Sequence, residues 1–253
     1  MEMPRKARKI SQSGIYHVMI RGINRQDLFE SDEDRAQFLE IIDLCKTISA
    51  FELFAFCLMS NHVHLLIRIM DEPLDAVIKR IGVRYVQWYN KKYDRTGHLF
   101  QDRYKSENVE DNQYLLTVLR YIIQNPMKAG LEDEPGSYPW TSYQAYCEGR
   151  GKVTDTKYIS EMFPSREVLI PFLKEPVKER VLDFTDRISD EDAKALMSRL
   201  TSCRTVAEFQ AQKGTKQRED VLELLRSGLS PKQITRLTGK SLAMIYRCKN
   251  TGG

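Results

Sequence analysis

Two histidines separated by one residue, His62 and His64, are the side chains whose type and spacing most directly suggest chemistry. They open an apolar run that a Ser60-Asn61 turn signal separates from an earlier apolar run, and this pattern predicts two antiparallel strands joined by a tight connection. Alternate residues of a strand share one face, so both imidazoles would point the same way and could hold one divalent metal ion. A packed or solvated histidine pair is the competing interpretation, and the spacing alone favours neither.

The stretch from Asp111 to Asn125 is predicted to be a helix, because Asp111 can cap its start and Pro126 follows its end. Tyr121 and Asn125 lie one helical turn apart on the flank of its apolar stripe, where we expect them to face neither the core nor open water. Tyr114 shares that flank, so periodicity does not choose between the tyrosines. The amide of Asn125 favours Tyr121, because its oxygen could complete a metal site while the phenol attacks. The alternative is that Tyr121 packs with its hydroxyl hydrogen-bonded, the usual fate of such tyrosines.

Hydrophobic periodicity predicts the elements that would position these side chains. In chain order they are a strand over 14–22, a helix over 31–49, the two strands around Ser60-Asn61, a helix over 73–89 and a short strand over 105–109. This order is typical of a ferredoxin-like α+β sandwich. We expect the helices to cover one face of the antiparallel sheet and to leave the other face free for a ligand.

Length and composition indicate a globular protein of 253 residues, enough for one large or two small domains. Apolar runs fall short of membrane-spanning length, and the basic start precedes no apolar segment, so we expect a cytoplasmic protein with no membrane partner. The five cysteines are scattered and contain no Cys-x-x-Cys pattern. They therefore indicate neither a disulfide framework nor a zinc module.

The net charge is only +4, but the positive charge is unevenly placed. Basic residues exceed acidic ones at both ends of the chain; those near the start are Arg5, Lys6, Arg8, Lys9, Arg21 and Arg25. Two basic ends favour a polyanionic partner such as nucleic acid, although a solvated basic face is the commoner explanation of any single cluster. The segment 97–106 mixes aromatic and basic residues, as nucleic-acid surfaces do, with an ordinary turn and edge strand as the alternative.

The composition shifts after the first 150 residues. We expect a linker with short helices over 151–188 and a helical domain over 189–253. Within that domain, Gly-Leu-Ser, a short helix, Thr-Gly and a second basic helix are typical of a helix-turn-helix. Its second helix, starting near Ser241, would enter the major groove of duplex DNA. A three-helix bundle that serves packing alone is the alternative.

Four blocks of the sequence, taken together and in order, carry a resemblance to a known family. They are Arg21-Gly22-Ile23-Asn24-Arg25, Met59-Ser60-Asn61-His62-Val63-His64, Gly97-His98-Leu99-Phe100-Gln101-Asp102-Arg103 and Tyr121-Ile122-Ile123-Gln124-Asn125-Pro126. The chain resembles the single-tyrosine HUH transposases, and in particular their REP-associated tyrosine transposase branch. The segment 138–143 resembles the end of that domain, so the likeness covers about residues 5–150. The C-terminal helix-turn-helix is similar to one appended to some members of the group.

The resemblance implies a metal-dependent enzyme that cleaves and rejoins single-stranded, hairpin-bearing DNA through a 5′-phosphotyrosine intermediate, with its HUH catalytic domain in residues 1–150. His62 and His64 match the histidine pair of the family, and Tyr121 matches its nucleophile. Asn125 falls where the family places a third, polar metal ligand, and a shift of one residue would exchange it with Gln124. The implied cofactor is a divalent metal ion: the donor set suits Mn²⁺, whereas cellular abundance favours Mg²⁺.

The expected partners are single-stranded or hairpin DNA at the catalytic domain and duplex DNA at the C-terminal domain, in a monomer or homodimer located in the bacterial cytoplasm at the nucleoid. The candidate DNA contacts of the catalytic domain are Arg21, Asn24, Arg25, Arg103 and Lys105. Those of the C-terminal domain are Lys232, Gln233, Arg236, Lys240, Ser241 and Arg247. Two other functions stay open: a DNA-binding regulator on a retained transposase scaffold, and a hydrolase that uses water and leaves no covalent adduct.

Overall fold

The computed structural model describes residues 10–149, 151–179, 181–183, 190–227 and 229–251. The chain forms two compact units, Met1–Asp183 and Phe184–Gly253. The basic residues at positions 5–9, which contribute to the predicted positive N-terminus, lie outside the described residues. Among the described helices, none is both long enough and apolar enough to cross a membrane.

Four strands form an antiparallel sheet in the described part of the first unit. They are β1 (Ile15–Arg21), β2 (Glu52–Leu58), β3 (His62–Arg68) and β4 (Lys105–Asn108). Their spatial order is β2-β3-β1-β4, which places β1 and β3 at the centre. The strands predicted from alternation are present, and the Ser60-Asn61 turn joins β2 to β3 as expected. The predicted α+β class is confirmed.

Two helices, α1 (Asp32–Ser49) and α2 (Leu74–Lys92), cover the first face of the sheet. Val18 and Leu65 of the central strands point to this face and are fully buried with Phe38 of α1 and Tyr85 of α2. Burying one such side chain contributes about 1.5–3 kcal/mol. This first core therefore anchors the two strands that carry the histidines.

The second face is also covered, so the expectation of a face left free for a ligand is wrong. The helices of this layer are α3 (Asn112–Ile123), α4 (Asn125–Lys128), α5 (Tyr143–Glu148), α6 (Lys157–Ser160) and α7 (Arg166–Lys174). Leu119 of α3 is fully buried on Phe54 and Leu66 of the sheet in a second core. The physical reason lies in β2, where residues 53–58 are all apolar. A strand with one solvated face would alternate, whereas a continuous apolar run is buried on both faces.

The helix predicted from Asp111 to Asn125 is shorter than expected. Asp111 does cap α3, but the helix ends at Ile123, and Gln124 (φ −88°, ψ 3°) separates it from α4. Pro126 occupies the first turn of α4, where the N–H that proline lacks would have no helical partner in any case. Within a continuing α3, Pro126 would offer no N–H to the Ile122 carbonyl oxygen and its ring would clash with that oxygen, which explains why α3 ends at Ile123.

Of the segment expected to be a linker, 151–188, the described residues 151–179 and 181–183 belong to the first unit. Ile159, Leu169 and Leu173 are buried in the second core together with α3. The described residues of the second unit form α8 (Asp190–Thr201), α9 (Val206–Ala211), α10 (Gly214–Arg226), α11 (Pro231–Thr238) and α12 (Leu242–Thr251). Gly239, at φ +67° in the left-handed region, ends α11 and turns the chain into α12. The predicted helical C-terminal region is confirmed.

Asp34 links α1 to α2 through a buried carboxylate. It is fully buried, and it accepts hydrogen bonds from Lys92 Nζ (2.6 Å), from the Tyr93 hydroxyl and from the backbone N–H groups of Glu30 and Ser31. Burial by itself would raise the pKa of Asp34, but these hydrogen bonds outweigh burial and hold the pKa below its usual value.

We predict that Asp34→Ala lowers the free energy of unfolding of the first unit by about 2–3 kcal/mol, because it removes one partner of a buried charge pair. Urea unfolding at pH 7 measures the change. Glu33→Gln is the matched control: Glu33 also pairs with Lys92, at 2.7 Å, but it is exposed, and an exposed pair contributes at most about 1 kcal/mol. Since the folded-state pKa of Asp34 is depressed, its contribution is present above the unfolded carboxyl pKa and is lost as the pH falls through the folded pKa. Equal losses in the two variants would contradict this account.

Candidate active site

The pairing of β1 with β3 brings three of the histidines to one face of the sheet. Arg21 lies opposite His62 and Met19 opposite His64, so His17 is the diagonal neighbour of His64. His17 Nε2 is 3.0 Å from His64 Nδ1, and the two rings stack with their centroids 5.3 Å apart. His17 was not among the predicted site residues. Its alternation with Met19 and Arg21 was visible in the sequence, but the register that places it beside His64 was not.

Burial controls the protonation of these imidazoles. His64 is fully buried, and its pKa is well below the ordinary value because of that burial and, secondarily, because of unfavourable electrostatic interactions with the neighbouring His17, His62 and Lys128. Burial also lowers the pKa of His17 to about 3. Both rings are therefore neutral at pH 7, and a neutral imidazole is the form that binds a metal ion. His62 is half-buried at the start of β3, with its Nδ1 2.7 Å from Asn61 Oδ1.

Tyr121 packs against the histidines from α3. Its ring centroid is 5.7 Å from that of His64 and 6.0 Å from that of His17. The side chain is buried in the second core, which corrects the expectation that it would face neither core nor water: the helix layer on this face encloses it. Burial raises the pKa of Tyr121 well above its ordinary value, the Asp183 carboxylate raises it further, and the Asn125 side chain lowers it. Asp183 and Asn125 are thus close to the Tyr121 hydroxyl, but neither they nor any other described residue forms a hydrogen bond of regular geometry with it.

The structure separates the two tyrosines that periodicity could not. The Tyr114 hydroxyl donates a 2.6 Å hydrogen bond to Glu107 Oε2, so it serves the link between α3 and β4. Tyr121 is the tyrosine whose ring meets His17 and His64. The tyrosine predicted as the nucleophile is therefore the one that lies beside the histidines, and its catalytic role stays a prediction.

The two neighbouring amides are separated in the same way. Gln124 Nε2 donates to the carbonyl oxygens of Leu173 (2.8 Å) and Glu175 (2.7 Å), which ties the end of α3 to the end of α7. Asn125 is also buried, but its side chain lies beside Tyr121 and lowers the pKa of the phenol. Gln124 thus has a structural role, and Asn125 is the amide next to the tyrosine.

The donor set can be tested for its fit to a metal ion. In the described ranges, no group of three or more His, Cys, Asp or Glu side chains could hold a metal ion. A site here would therefore need the two imidazoles of His62 and His64 together with a different donor; the predicted donor is the Asn125 amide, which lies beside Tyr121. His64 Nε2 is a buried nitrogen with no hydrogen-bond partner among the described residues. A buried polar atom without a partner is costly, and a metal ion would satisfy it, so these residues fit a divalent metal.

Lys128 is a second residue that sequence reasoning missed. Its Nζ lies 3.8 Å from the centroid of the Tyr121 ring, in cation–π geometry. Burial lowers the pKa of Lys128, and the Asp183 carboxylate raises it. The position of Lys128 depends on α4, whose separate start after Gln124 was not predicted.

The candidate DNA contacts of the first unit fall into three places. Arg21 ends β1 opposite His62, and the exposed Asn24 and Arg25 follow in a turn that rests on the Ser60-Asn61 connection through hydrogen bonds such as Gly22 N to Asn61 O (2.9 Å). A Cβ at Gly22 would meet the Gln26 carbonyl oxygen at 2.1 Å, so this turn requires glycine. Lys105 is exposed on the edge strand β4. Arg103, by contrast, lines a cavity of about 550 Å³ beside α2, together with His98.

The candidate contacts of the second unit lie on α11, α12 and the turn between them. Lys232, Arg236, Ser241 and Arg247 are exposed and Lys240 is half-buried. Gln233 is the exception. It is buried, and its Oε1 accepts a 3.1 Å hydrogen bond from Ser230 N in the capping box that starts α11. The expectation that Gln233 contacts DNA is therefore wrong, because its amide is used to cap the helix.

Comparison with known protein families gives a match to the part of the chain that contains these residues. Residues 11–125 match the model of the family described as "Transposase IS200 like". The matched segment ends at Asn125 and contains the histidine strand and Tyr121. The predicted resemblance to this class of transposase is confirmed.

Two individual proteins narrow the likeness to the REP-associated branch. The "Putative REP-associated tyrosine transposase" of Haemophilus influenzae strain Rd is 28% identical over 106 residues, which are 37% of this chain and 59% of that protein. The chain thus spans about three fifths of the length of this curated relative. A solved structure, "Structure of the REP associates tyrosine transposase bound to a REP hairpin", superposes with a TM-score of 0.51 over 72% of this chain and 100% of that chain, at 14% identity. At that identity the superposition establishes the fold.

We predict opposite effects from removing the two amides. Gln124→Ala should lower the free energy of unfolding by about 1–3 kcal/mol, since two carbonyl groups lose their donor, and should leave Mn²⁺ affinity unchanged. Asn125→Ala should weaken Mn²⁺ binding by about tenfold or more, with a stability change below about 1 kcal/mol. Urea unfolding and titration of free Mn²⁺ by electron paramagnetic resonance measure the two quantities. Weaker Mn²⁺ binding in the Gln124 variant alone would assign the ligand to Gln124.

Proposed function

We propose that the first unit is a transposase-type nuclease that cleaves and rejoins single-stranded, hairpin-bearing DNA, with Tyr121 as the nucleophile. One observation carries the proposal: the Tyr121 ring packs against His64 with the ring centroids 5.7 Å apart, and the buried Nε2 of His64 has no hydrogen-bond partner among the described residues. An ordinary core histidine would have this nitrogen satisfied. The likeness to a transposase described as bound to a REP hairpin supports hairpin DNA as the substrate.

His62, His64 and Asn125 would hold the divalent metal ion, Mg²⁺ or Mn²⁺. When bound, that ion supplies Lewis acidity toward a non-bridging phosphate oxygen and neutralises developing negative charge. The fold of the chain positions the imidazoles and the tyrosine relative to one another. The sheet fixes the two imidazoles, and α3 fixes Tyr121 against them.

The covalent step exchanges one phosphodiester for another. Tyr121 Oη attacks the phosphorus, the O–P bond to the tyrosine forms as the bond to the 3′ oxygen breaks, and the phenol proton leaves as the released strand end becomes a 3′-hydroxyl. Attack by a second 3′-hydroxyl reverses these changes and joins strands without ATP. Because burial and Asp183 both disfavour the phenolate, its formation needs a nearby positive charge, and Lys128 lies against the ring to supply one.

Duplex DNA is the proposed partner of the second unit. Two exposed arginines, Arg236 of α11 and Arg247 of α12, lie on either side of the turn at Gly239. This arrangement of basic side chains on a helix-turn-helix pair suits phosphate contacts beside a major groove. A regulator that binds duplex DNA without cutting is therefore the second candidate function.

We predict that Tyr121→Phe abolishes formation of a denaturant-resistant protein–DNA adduct on labelled single-stranded hairpin oligonucleotides in Mn²⁺ or Mg²⁺. Removal of a nucleophile typically costs roughly 10³-fold or more in rate. Tyr114→Phe is the matched control. It also removes one partly buried hydroxyl group from α3, but that hydroxyl is bonded to Glu107, so the adduct should still form.

Cleavage that persists in the Tyr121 variant without an adduct would instead assign the reaction to a water nucleophile. Absence of cleavage by the wild type on a broad hairpin pool, together with tight duplex binding, would support the regulator.

We also predict that the double variant Arg236→Gln/Arg247→Gln binds duplex DNA more weakly and with a shallower salt dependence. Each lost phosphate contact reduces the slope of log K against log[salt] by about 0.9. Fluorescence anisotropy over a series of salt concentrations measures the slope. Lys194→Gln on α8 removes a positive charge from the same unit and serves as the control. An equal change in the control would show that net charge alone governs the binding.

A further inference from the structure

We propose that His17 is a positioning residue for His64: it accepts the Nδ1–H of His64 and so keeps the lone pair of His64 Nε2 available to a metal ion. The inference rests on the proposed function, since it concerns the same site. His17 lies outside the four sequence blocks that carry the family resemblance. Its assignment comes from the contact between His17 Nε2 and His64 Nδ1 at 3.0 Å.

The contact leaves two tautomeric arrangements. Both rings are fully buried, and a neutral imidazole carries one proton, on either of its two nitrogens. The hydrogen bond between the rings uses the proton of one of them. If His64 Nδ1 donates, its Nε2 bears a lone pair. If His17 Nε2 donates, the proton of His64 must sit on Nε2, which then cannot bind a metal ion. The metal-binding form of His64 therefore requires His17 to be the acceptor.

Other partners do not decide between these arrangements. His17 Nδ1 and His64 Nε2, the outward nitrogens of the pair, have no hydrogen-bond partner among the described residues. Glu107 lies directly opposite His17 on β4 and would be the natural partner for it. However, Glu107 Oε2 accepts from the Tyr114 hydroxyl (2.6 Å) and from Leu182 N (3.2 Å) instead. One ligand at His64 Nε2 is thus sufficient to fix the tautomers of both rings.

A ring acceptor also fixes the orientation of His64. Metal-binding histidines usually donate their second N–H to a carboxylate or carbonyl, and loss of that partner typically weakens metal binding by about 10–100-fold. Here the neutral imidazole of His17 takes that place, in a core that would make an unpaired carboxylate costly. The stacked arrangement, with an interplanar angle of 21°, adds packing that holds both rings against the sheet.

The first test reads the tautomer directly in the wild-type protein. The chain has four histidines, so ¹⁵N-histidine labelling gives a simple two-bond ¹H–¹⁵N correlation spectrum. With Zn²⁺ as a diamagnetic probe, we expect His64 to carry its proton on Nδ1 and to show a metal shift at Nε2. Metal bound at Nδ1, or a proton on Nε2 in the metal-bound protein, would overturn the inference.

The second test uses variants and metal affinity. His17→Leu should weaken Mn²⁺ binding by about 10–100-fold. His17→Gln places an amide oxygen near the position of the imidazole Nε2 and should restore most of the affinity. His98→Gln, at an exposed histidine, is the control and should leave the affinity unchanged. Equal weakening in the Leu and Gln variants would assign His17 to packing alone, and equal affinity in wild type and His17→Leu would also overturn the inference.

The two levels of the proposal fail differently. If the wild-type protein shows no response of His62 and His64 to Zn²⁺ or Mn²⁺, the metal site of the proposed function is overturned together with the role of His17. If the wild type binds metal at these residues and His17→Leu binds it equally well, only the role of His17 is overturned. The wild-type tautomer needs no variant, so the test stands even if His17→Leu does not fold.

Discussion

Seven residues of β1 pair with seven of β3 in a single antiparallel register, from Ile15 opposite Arg68 to Arg21 opposite His62. A slip of one residue in such a pairing sends every side chain of the shifted strand to the opposite face. The apolar residues of the first core therefore fix the positions of the histidines as well. Val18 and Leu65 cannot leave that core without moving His17 and His64, with which they alternate.

The second consequence of this register is burial. The face that carries the histidines is closed by α3, and so Tyr121 and His64 meet in a water-poor environment. Such an environment keeps His64 neutral and holds the proton on the Tyr121 phenol. It also strengthens the electrostatic interaction between the site and any charge brought close to it, which is the basis of electrostatic stabilisation in active sites. Under the proposed function, a reaction at Tyr121 would therefore need a positive charge close to the phenol.

Much of this arrangement could be predicted from the sequence, because local patterns determine it. Alternation predicted the strands, and Tyr121 and Asn125 are neighbours as the sequence suggested, although both are buried and they belong to different helices. The covering of the second face could have been inferred from the apolar run over 53–58. However, the ferredoxin-like order of strands and helices favoured a sheet covered on one face. The break after Ile123 was obscured because proline can stand at the start of a helix as well as after its end.

The remaining features depend on contacts between residues far apart in the sequence. His17 and His64 are 47 positions apart, and only the strand register brings their ring nitrogens together. Gln124 and Asn125 could not be separated by pattern, since the difference lies in the carbonyl groups at the end of α7. Gln233 lies in a basic, polar stretch that suggested a DNA contact, yet its amide forms part of the capping box that starts α11. Long-range pairing and hydrogen-bond satisfaction carry this information, and neither has a fixed sequence period.

The most direct test of the central claim is to locate the covalent bond between protein and DNA. The wild-type protein would be incubated with single-stranded hairpin DNA and Mn²⁺, digested with protease and nuclease, and analysed by tandem mass spectrometry. We expect a phosphonucleotide on the peptide that contains Tyr121, attached to its phenolic oxygen. A nucleotide on Tyr114 or on another residue, or efficient cleavage with no modified peptide, would contradict the assignment of Tyr121 as the nucleophile.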